Sequence, residues 1–207
     1  SLYSSDRKLG ALCGVKDYYC LENNSPAVSL ITVNGTMRRV TDGANPAEAK
    51  ECVTKAGDIY AKTGKKVGIF TLSHGQAAYI KHLVDLMGEN DKKLAEGAAL
   101  GYIKVFEPYA VSFDSVDFAL VSLGAATDKD GSIGWSYGCG TAGSAIPALM
   151  SAFRCAKQGT FIVCSLSSKE LAKLIKCSYE AEKVYFAVVS ASKNIIVSDA
   201  GKHSYDA

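Results

Sequence analysis

Three hydrophobic runs between residues 102 and 166 set the topology: YIKVF at 102–106, DFALVSLG at 117–124 and TFIVC at 160–164. The first run is short enough for a strand, and the second is almost continuously hydrophobic, which is typical of a strand buried on both faces. A glycine-rich loop leads from the second run to a helix that we predict over residues 144–157, and the third run is a further buried strand. Strand, strand, loop, helix and strand in this order predict the core of a parallel α/β sheet.

The preceding residues extend this alternation of strands and helices. AVSLITV at residues 27–33 is rich in β-branched residues and predicts a strand. Asn45 and Pro46 begin a helix, because asparagine caps free amides and proline suits the first helical position, and Gly64 ends it. KVGIFTL at residues 66–72 then predicts a central strand.

After a turn at Ser73, helical spacing predicts a second helix with a buried stripe of Tyr79, Ile80, Leu83, Val84 and Leu86. Residues 90–96 are charged and are expected to be exposed. Further elements are predicted at residues 37–40, 168–177, 183–190 and 194–197. Together they predict a doubly wound three-layer α/β/α domain over 1–207, with a connecting segment (1–25), a core (26–177) and a C-terminal extension (178–207).

Composition sets broad limits. The chain has 207 residues, 48% of them hydrophobic, and a net charge of +2, which suits one large domain and argues neither for nor against a nucleic-acid partner. No run approaches the ~18 uninterrupted apolar residues of a membrane span, so we expect no membrane partner. The sequence starts at Ser1 rather than Met, and we expect a fragment of a longer protein.

The cysteines indicate a reducing compartment. There are seven, an odd number, no CxxC occurs, and several lie inside apolar runs. We therefore expect buried thiols in a cytoplasmic protein rather than disulfides. Cys13 and Cys20 have no second pair of ligands with which to hold zinc.

Two short motifs suggest enzymes. GCGTAG at residues 138–143 matches the dinucleotide-binding pattern, but the preceding residues 132–137 are polar and no acidic residue ends the next strand. Ser73 lies between a strand and a helix, as the nucleophile of an α/β serine hydrolase does, and Asp117 and His203 follow in that order. A helix cap is the favoured role of Ser73, and both enzyme classes stay as alternatives.

Phosphate-binding signals are weak. No Walker A sequence occurs, and Lys62, Lys65 and Lys66 lack its spacing. These lysines, with Arg38 and Arg39, either contact phosphates or form a solvated rim.

Taken together, four segments resemble the second RecA-like domain of superfamily I helicases, in the branch of the nonsense-mediated-decay helicases. KVGIFTLSHGQ (66–76) resembles motif IV, IGIITPY followed by Gln, and NPAEA (45–49) resembles the N-x-x-E-A helix before it. AVSFDSVDFALVS (110–122) aligns with motif V, VQGDERDVIILS, and residues 148–165 resemble motif VI, NVALTRAKxGLIIVGS. The likeness spans about residues 28–170 in the family's order.

The departures from these motifs fall on the chemical residues. The Gln-Gly and Glu-Arg pairs of motif V are replaced here by Ser112-Phe113 and Ser115-Val116. The catalytic arginine of motif VI falls on Cys155, and Arg154 stands one position earlier, about 100° round a helix. An arginine finger contributes on the order of 10³-fold or more to phosphoryl transfer, so this displacement predicts its loss.

The resemblance implies a RecA-like (P-loop NTPase-type) sheet without its own P-loop, acting as a nucleic-acid-associated or assembly module with no ATPase activity of its own. The alternative is half of an active DNA or RNA helicase, completed by an upstream RecA-like domain that carries a Walker A motif. ATP and magnesium would then bind in the shared cleft, at Gln76, Arg154 and Lys157. Because open α/β sheets bind ligands beyond their strand ends, the expected nucleic-acid contacts are Ser73, His74, Tyr109, Ser112 and Trp135.

Overall fold

A computed structural model describes residues 28–34, 43–108, 115–127, 133–134, 145–174 and 195–197. The strands in these ranges are β1 (Val28–Thr32), β2 (Val67–Thr71), β3 (Ile103–Phe106), β4 (Val116–Ser122), β5 (Ala126–Thr127), β6 (Ile133–Gly134), β7 (Ala156–Cys164) and β8 (Ile195–Val197). The helices are α1 (Pro46–Thr63), α2 (His74–Gly88), α3 (Lys92–Ala99), α4 (Ala145–Cys155) and α5 (Ser168–Leu174). Among the described residues, no helix is long and apolar enough to cross a membrane.

The main sheet has six strands in the order β3-β2-β4-β7-β1-β8, and its neighbouring strands all pair in parallel. Strands β5 and β6 form a separate antiparallel pair. Parallel strands that alternate with helices require crossovers on the faces of the sheet, which is the arrangement predicted from the sequence. Strand β2 is interior but lies second from the β3 edge rather than at the centre.

Helices cover both faces of the main sheet. On one face, α1, α2 and α3 contribute Val53, Ile80 and Leu94 to a continuous buried cluster. On the other, α4 and α5 contribute Leu149 and Leu171 to a second cluster. The predicted three-layer α/β/α architecture is therefore confirmed.

The ends of α1 follow the predicted local chemistry. The Asn45 side chain accepts a hydrogen bond from the backbone N–H of Glu48, and Pro46 occupies the first helical position. Gly64 ends the helix with φ of 66°, a left-handed conformation in which a side chain would be strained.

One prediction for the segment after β2 is wrong, and another holds except at one residue. Leu86 is 48% exposed, whereas Ile80 and Val84 are buried, because Leu86 lies about 200° round the helix from Val84. Residues 90–96 are exposed as predicted, except for Leu94, and they contain the start of α3. Asp91 caps this helix, and Leu94 anchors it in the core.

The junction of α4 and β7 also differs from the prediction. The helix ends at Cys155 rather than at residue 157, and β7 starts at once, with Ala156 paired to Val116 of β4. Lys157 therefore lies on a strand.

Strand β8 pairs with β1 although it falls in the predicted C-terminal extension, so the sheet continues beyond residue 177. Residues 1–25, 37–40, 138–143 and 183–190 lie outside the described ranges.

Candidate functional site

Five polar side chains lie buried together at the carboxyl ends of the strands. They come from the starts of α1 and α2 and from the ends of β4 and β7, and each is at most 5% exposed: Asn45, Glu48, Gln76, Ser122 and Ser165. We call this set the carboxyl-edge network. Since a buried polar group without a partner destabilises a fold, such a set requires mutual hydrogen bonds.

Glu48 is the acceptor at the centre of this network. Its Oε2 receives hydrogen bonds from the Ser122 hydroxyl at 2.9 Å and from the Gly124 backbone N–H at 2.6 Å. Its Oε1 receives hydrogen bonds from the backbone N–H of Ser165 at 2.9 Å and from the Ser165 hydroxyl at 2.8 Å. One side chain on α1 thus joins the chain segments that leave β4 and β7.

Asn45 and Gln76 complete the network through their amides. The Gln76 Oε1 accepts from the Asn45 backbone N–H at 2.7 Å, and the Gln76 Nε2 donates to the Asn45 carbonyl at 3.1 Å and to the Ser122 hydroxyl at 2.8 Å. The Asn45 Nδ2 donates to the Ser165 hydroxyl at 2.6 Å and to the Ala125 carbonyl at 3.1 Å. The starts of both helices are thereby fixed to the ends of both strands.

The protonation of Glu48 reflects two opposing effects. Complete burial raises its pKa from 4.5 to about 7, while the hydrogen bonds from Gly124, Ser165 and Ser122 oppose that rise. Burial disfavours the charged carboxylate, and donors favour it. Near neutral pH both the protonated and the charged form of Glu48 are populated, and neither of its carboxyl oxygens is accessible to a ligand. The network is a structural tie between helices and strands.

Ser73 has the role of a helix cap, as predicted. Its side chain accepts from the Gln76 backbone N–H at 3.2 Å. Its backbone is extended, with φ of −142° and ψ of 152°, whereas a nucleophile elbow is a sharp, strained turn. Asp117 is the second residue of β4 and lies near the start of that strand, at the opposite edge of the sheet from Ser73. The serine-hydrolase alternative is therefore not supported by the placement of these two residues, and His203 lies outside the described residues.

His74 belongs to an exposed ionic cluster near Ser73. Its Nδ1 lies 2.5 Å from a Glu107 carboxylate oxygen, and the Lys81 Nζ lies 2.6 Å from the other oxygen. The hydrogen bond from Lys81, followed by that from His74, lowers the pKa of Glu107. Because the carboxylate offsets the nearby positive charge, this cluster is a weak attractor for phosphates.

Arg154 and Lys157 lie at the other edge of the sheet, where the strands begin. Arg154 is exposed in the last turn of α4, whereas Cys155 is 8% exposed and packs in the core. The predicted rotation between the two positions is thus observed. Close by, the Asp117 carboxylate accepts from the Lys66 backbone N–H at 3.0 Å and from the Gln158 amide at 3.3 Å.

A cleft of about 350 Å³ opens at this amino edge, between the starts of β2, β3 and β4. We call it the amino-edge cleft. It is lined by Lys66, Val67, Gly101, Tyr102, Lys104, Ser115 and Val116.

The predicted site residues do not form one site. Gln76 is buried in the carboxyl-edge network, while Arg154 and Lys157 are exposed at the amino edge. The two edges are separated by the length of β4, which at about 3.3 Å per residue is roughly 20 Å. These three residues do not fit a single bound ATP, and we derive no nucleotide chemistry from them.

The structure describes two of the five predicted nucleic-acid contacts. Ser73 and His74 lie at the carboxyl edge, and Tyr109, Ser112 and Trp135 lie outside the described residues. In the described part of the chain, no group of three or more His, Cys, Asp or Glu side chains is arranged to hold a metal ion.

Sequence reasoning overlooks Ser122 and Ser165 because they carry no catalytic signature. The available signal is positional: each is the last residue of a motif string, VIILS or IIVGS. Tyr102 and Lys104 are missed for another reason, since neither belongs to a motif.

A scan of protein-family models and a search of curated proteins found no match for this chain.

Proposed function

We propose that this chain is a helicase-type RecA-like domain that has lost its catalytic residues and works as a nucleic-acid-associated or assembly module. One observation carries the proposal. Five of the positions at which the sequence matches the helicase motifs meet in a single hydrogen-bonded set, the carboxyl-edge network. They are separated by up to 120 residues in sequence, and a helicase-type sheet, whose motifs follow its strands, would bring them together at one edge in this way.

Each motif contributes to this convergence. Asn45 and Glu48 are the Asn and Glu of N-x-x-E-A, and Gln76 is the glutamine after motif IV. Ser122 and Ser165 end motifs V and VI. The matching residues have a structural task, which is to fix α1 and α2 to β4 and β7. Retention of these residues preserves the fold without requiring catalysis.

The departures support loss of catalysis. The position of the motif VI arginine is Cys155, whose side chain is buried against α4 and the sheet. The neighbouring Arg154 is exposed and points elsewhere, so the phosphoryl charge that an arginine finger neutralises has no partner at that position. We infer that ATP is not hydrolysed by this chain alone.

The proposal extends to partners and location. An upstream RecA-like domain with a Walker A motif is the partner that would bring ATP and magnesium, and DNA or RNA is the ligand. A cytoplasmic location fits the burial of the cysteines Cys52, Cys155 and Cys164.

The test is to measure ATP hydrolysis and oligonucleotide binding by the 207-residue chain. We expect binding of single-stranded RNA or DNA, and no hydrolysis above background with or without it. Hydrolysis that nucleic acid stimulates, that Arg154→Ala abolishes and that Lys50→Ala leaves unchanged would overturn the proposed loss of catalysis.

A further inference from the structure

The amino-edge cleft has the size and shape of a small binding site. Its volume of about 350 Å³ lies at the lower end of the range of about 300–1,000 Å³ for ligand sites. The cleft is formed by residues at or next to the starts of β2, β3 and β4, whose relative positions are set by parallel strand pairing.

The walls of the cleft combine positive charge with an aromatic ring. Lys66 and Lys104 are exposed, and the Lys66 Nζ lies 6.0 Å from the centroid of the Tyr102 ring. Tyr102 is 36% exposed, although a buried ring, that of Tyr60, lies 5.6 Å away. The two rings are tilted by 48°, and the Lys66 ammonium lies over the Tyr102 ring. A base that stacks on Tyr102 would take the place of this ammonium, which would then lie beside the base.

The nearby acidic and backbone groups are already engaged. The Asp117 carboxylate accepts from the Lys66 backbone N–H and from Gln158. The N–H of Val67 donates to the Tyr102 carbonyl at 2.7 Å, and the N–H of Tyr102 donates to Gly97 at 2.8 Å. An anion in the cleft is therefore contacted by lysine, serine and tyrosine side chains rather than by backbone amides.

Ser115 changes the charge of this cleft relative to motif V. It stands where the motif string has glutamate, so a neutral hydroxyl faces the two lysines in place of a carboxylate. A neutral group removes the repulsion that a carboxylate would exert on a phosphate.

We propose that the amino-edge cleft binds single-stranded nucleic acid, with one base stacked on Tyr102 and the flanking phosphates contacted by Lys66 and Lys104. Aromatic rings beside basic side chains are the usual means of binding single strands without sequence preference. This inference rests on the proposed function and locates its nucleic-acid contact, at the edge opposite to Ser73 and His74.

The test is fluorescence anisotropy of the full chain with dye-labelled ~10-nucleotide single-stranded RNA and DNA, a length within the usual site sizes. Tyr102→Ala is expected to weaken binding by about 5- to 100-fold, and Tyr102→Phe by less than about 2-fold, since stacking needs the ring and not the hydroxyl. The double variant Lys66→Ala/Lys104→Ala should reduce the slope of log affinity against log salt by about 1.4. Lys50→Ala, an exposed lysine on α1 near the carboxyl edge, is the matched control and should change neither quantity.

The outcomes separate this site from the proposed function. If Tyr102→Ala and the double lysine variant both bind oligonucleotides with the affinity of the parent chain, the site is refuted and the proposed function stands. Equal affinity for AMP or inorganic phosphate would refute a single-strand ligand. No binding of any oligonucleotide would refute the site and the nucleic-acid part of the function together. Because Tyr102 packs near Tyr60 and the Lys66 ammonium lies over the Tyr102 ring, thermal unfolding checks the fold of both variants.

Discussion

Glu48 is an acid without exposed surface whose two oxygens both face backbone N–H groups, those of Gly124 and Ser165. A carboxylate accepts from both. A protonated carboxyl also fits, because its hydroxyl oxygen still accepts while its proton turns toward the hydroxyl of Ser122 or Ser165. A side-chain amide does not fit, since its NH₂ group has no acceptor capacity and would face one of the two N–H groups.

Glu48→Gln is therefore expected to lower the free energy of unfolding by about 2–3 kcal/mol, the cost of a buried donor left without an acceptor. Urea denaturation at pH 7 measures the change. Glu89→Gln, at an exposed glutamate, is the matched control and should stay within about 0.5 kcal/mol of the parent chain. Equal stabilities for the two variants would mean that Glu48 is not held as described.

The pH dependence of stability should carry the signature of Glu48. Its folded-state pKa of about 7 lies above the 4.5 of an unfolded glutamate, so the folded chain holds this proton more tightly. The resulting stabilisation, about 3 kcal/mol, is complete below pH ~4.5 and is lost as the pH rises through about 7. Glu96 and Glu107, whose pKa values are lowered, act in the opposite sense.

The Glu48 contribution is isolated by measuring the free energy of unfolding of the parent chain and of Glu48→Gln between pH 4.5 and 8.5. The difference between the two free energies reports Glu48 alone, since the other groups titrate in both proteins. A difference that does not vary with pH would contradict a raised pKa at this position.

The helices and strands with strong local signals could be predicted from the sequence, and those that depend on packing could not. Asn45, Pro46 and Gly64 define α1 by capping chemistry alone. Helix α3 was missed because its single buried large side chain, Leu94, gives no periodic pattern. Its position depends on Gly97, which allows the helix to approach Ile103 and Tyr60 closely.

Two helical glycines make this dependence testable. A Cβ at Gly97 would lie 2.9 Å from both Ile103 Cδ1 and Tyr60 Cδ1, whereas one at Gly57 meets nothing closer than 3.6 Å. Alanine has a higher helix propensity than glycine, so either substitution gains up to about 1 kcal/mol of helix stability from this effect. Gly57→Ala should therefore stabilise the chain, and Gly97→Ala should destabilise it by about 1 kcal/mol, because overpacking outweighs that gain. Thermal melts that move in the same direction for both variants would contradict the close contact of α3.

The junction of α4 and β7 determines whether the motif VI arginine can be restored. Cys155 lies in the core, so Cys155→Arg would place a guanidinium in the buried cluster that also contains Leu149 and Phe153. We expect a loss of about 3 kcal/mol or more, measured as a fall of about 6–12 °C in Tm for a chain of this size. Arg154→Ala, at an exposed position, is the control and should leave Tm nearly unchanged. An unchanged Tm for Cys155→Arg would mean that the helix can turn this position outward.

The division of the site between two edges of the sheet explains why its residues were only partly predictable. Motif matching identified Gln76 and the N-x-x-E-A helix, yet a motif does not state whether a residue serves chemistry or packing. The burial of Gln76 and Glu48 indicates that both residues serve packing. Tyr102 and Lys104 come together with Lys66 only through the pairing of β2 with β3, a long-range contact that no local pattern contains.

The parallel order of the strands predicts a gradient of hydrogen-exchange protection across the sheet. Strand β4 pairs with β2 and β7 on its two sides and is covered by helices on both faces, whereas β3 and β8 have a neighbour on one side only among the described strands. Amides of β4 and β7 should exchange at the rate of global unfolding, and those of β8 and β3 should exchange faster through local opening. Mass spectrometry of the exchanging chain measures this order. Protection of β3 equal to that of β4 would place β3 inside the sheet, and the amino-edge cleft beside it would then be covered.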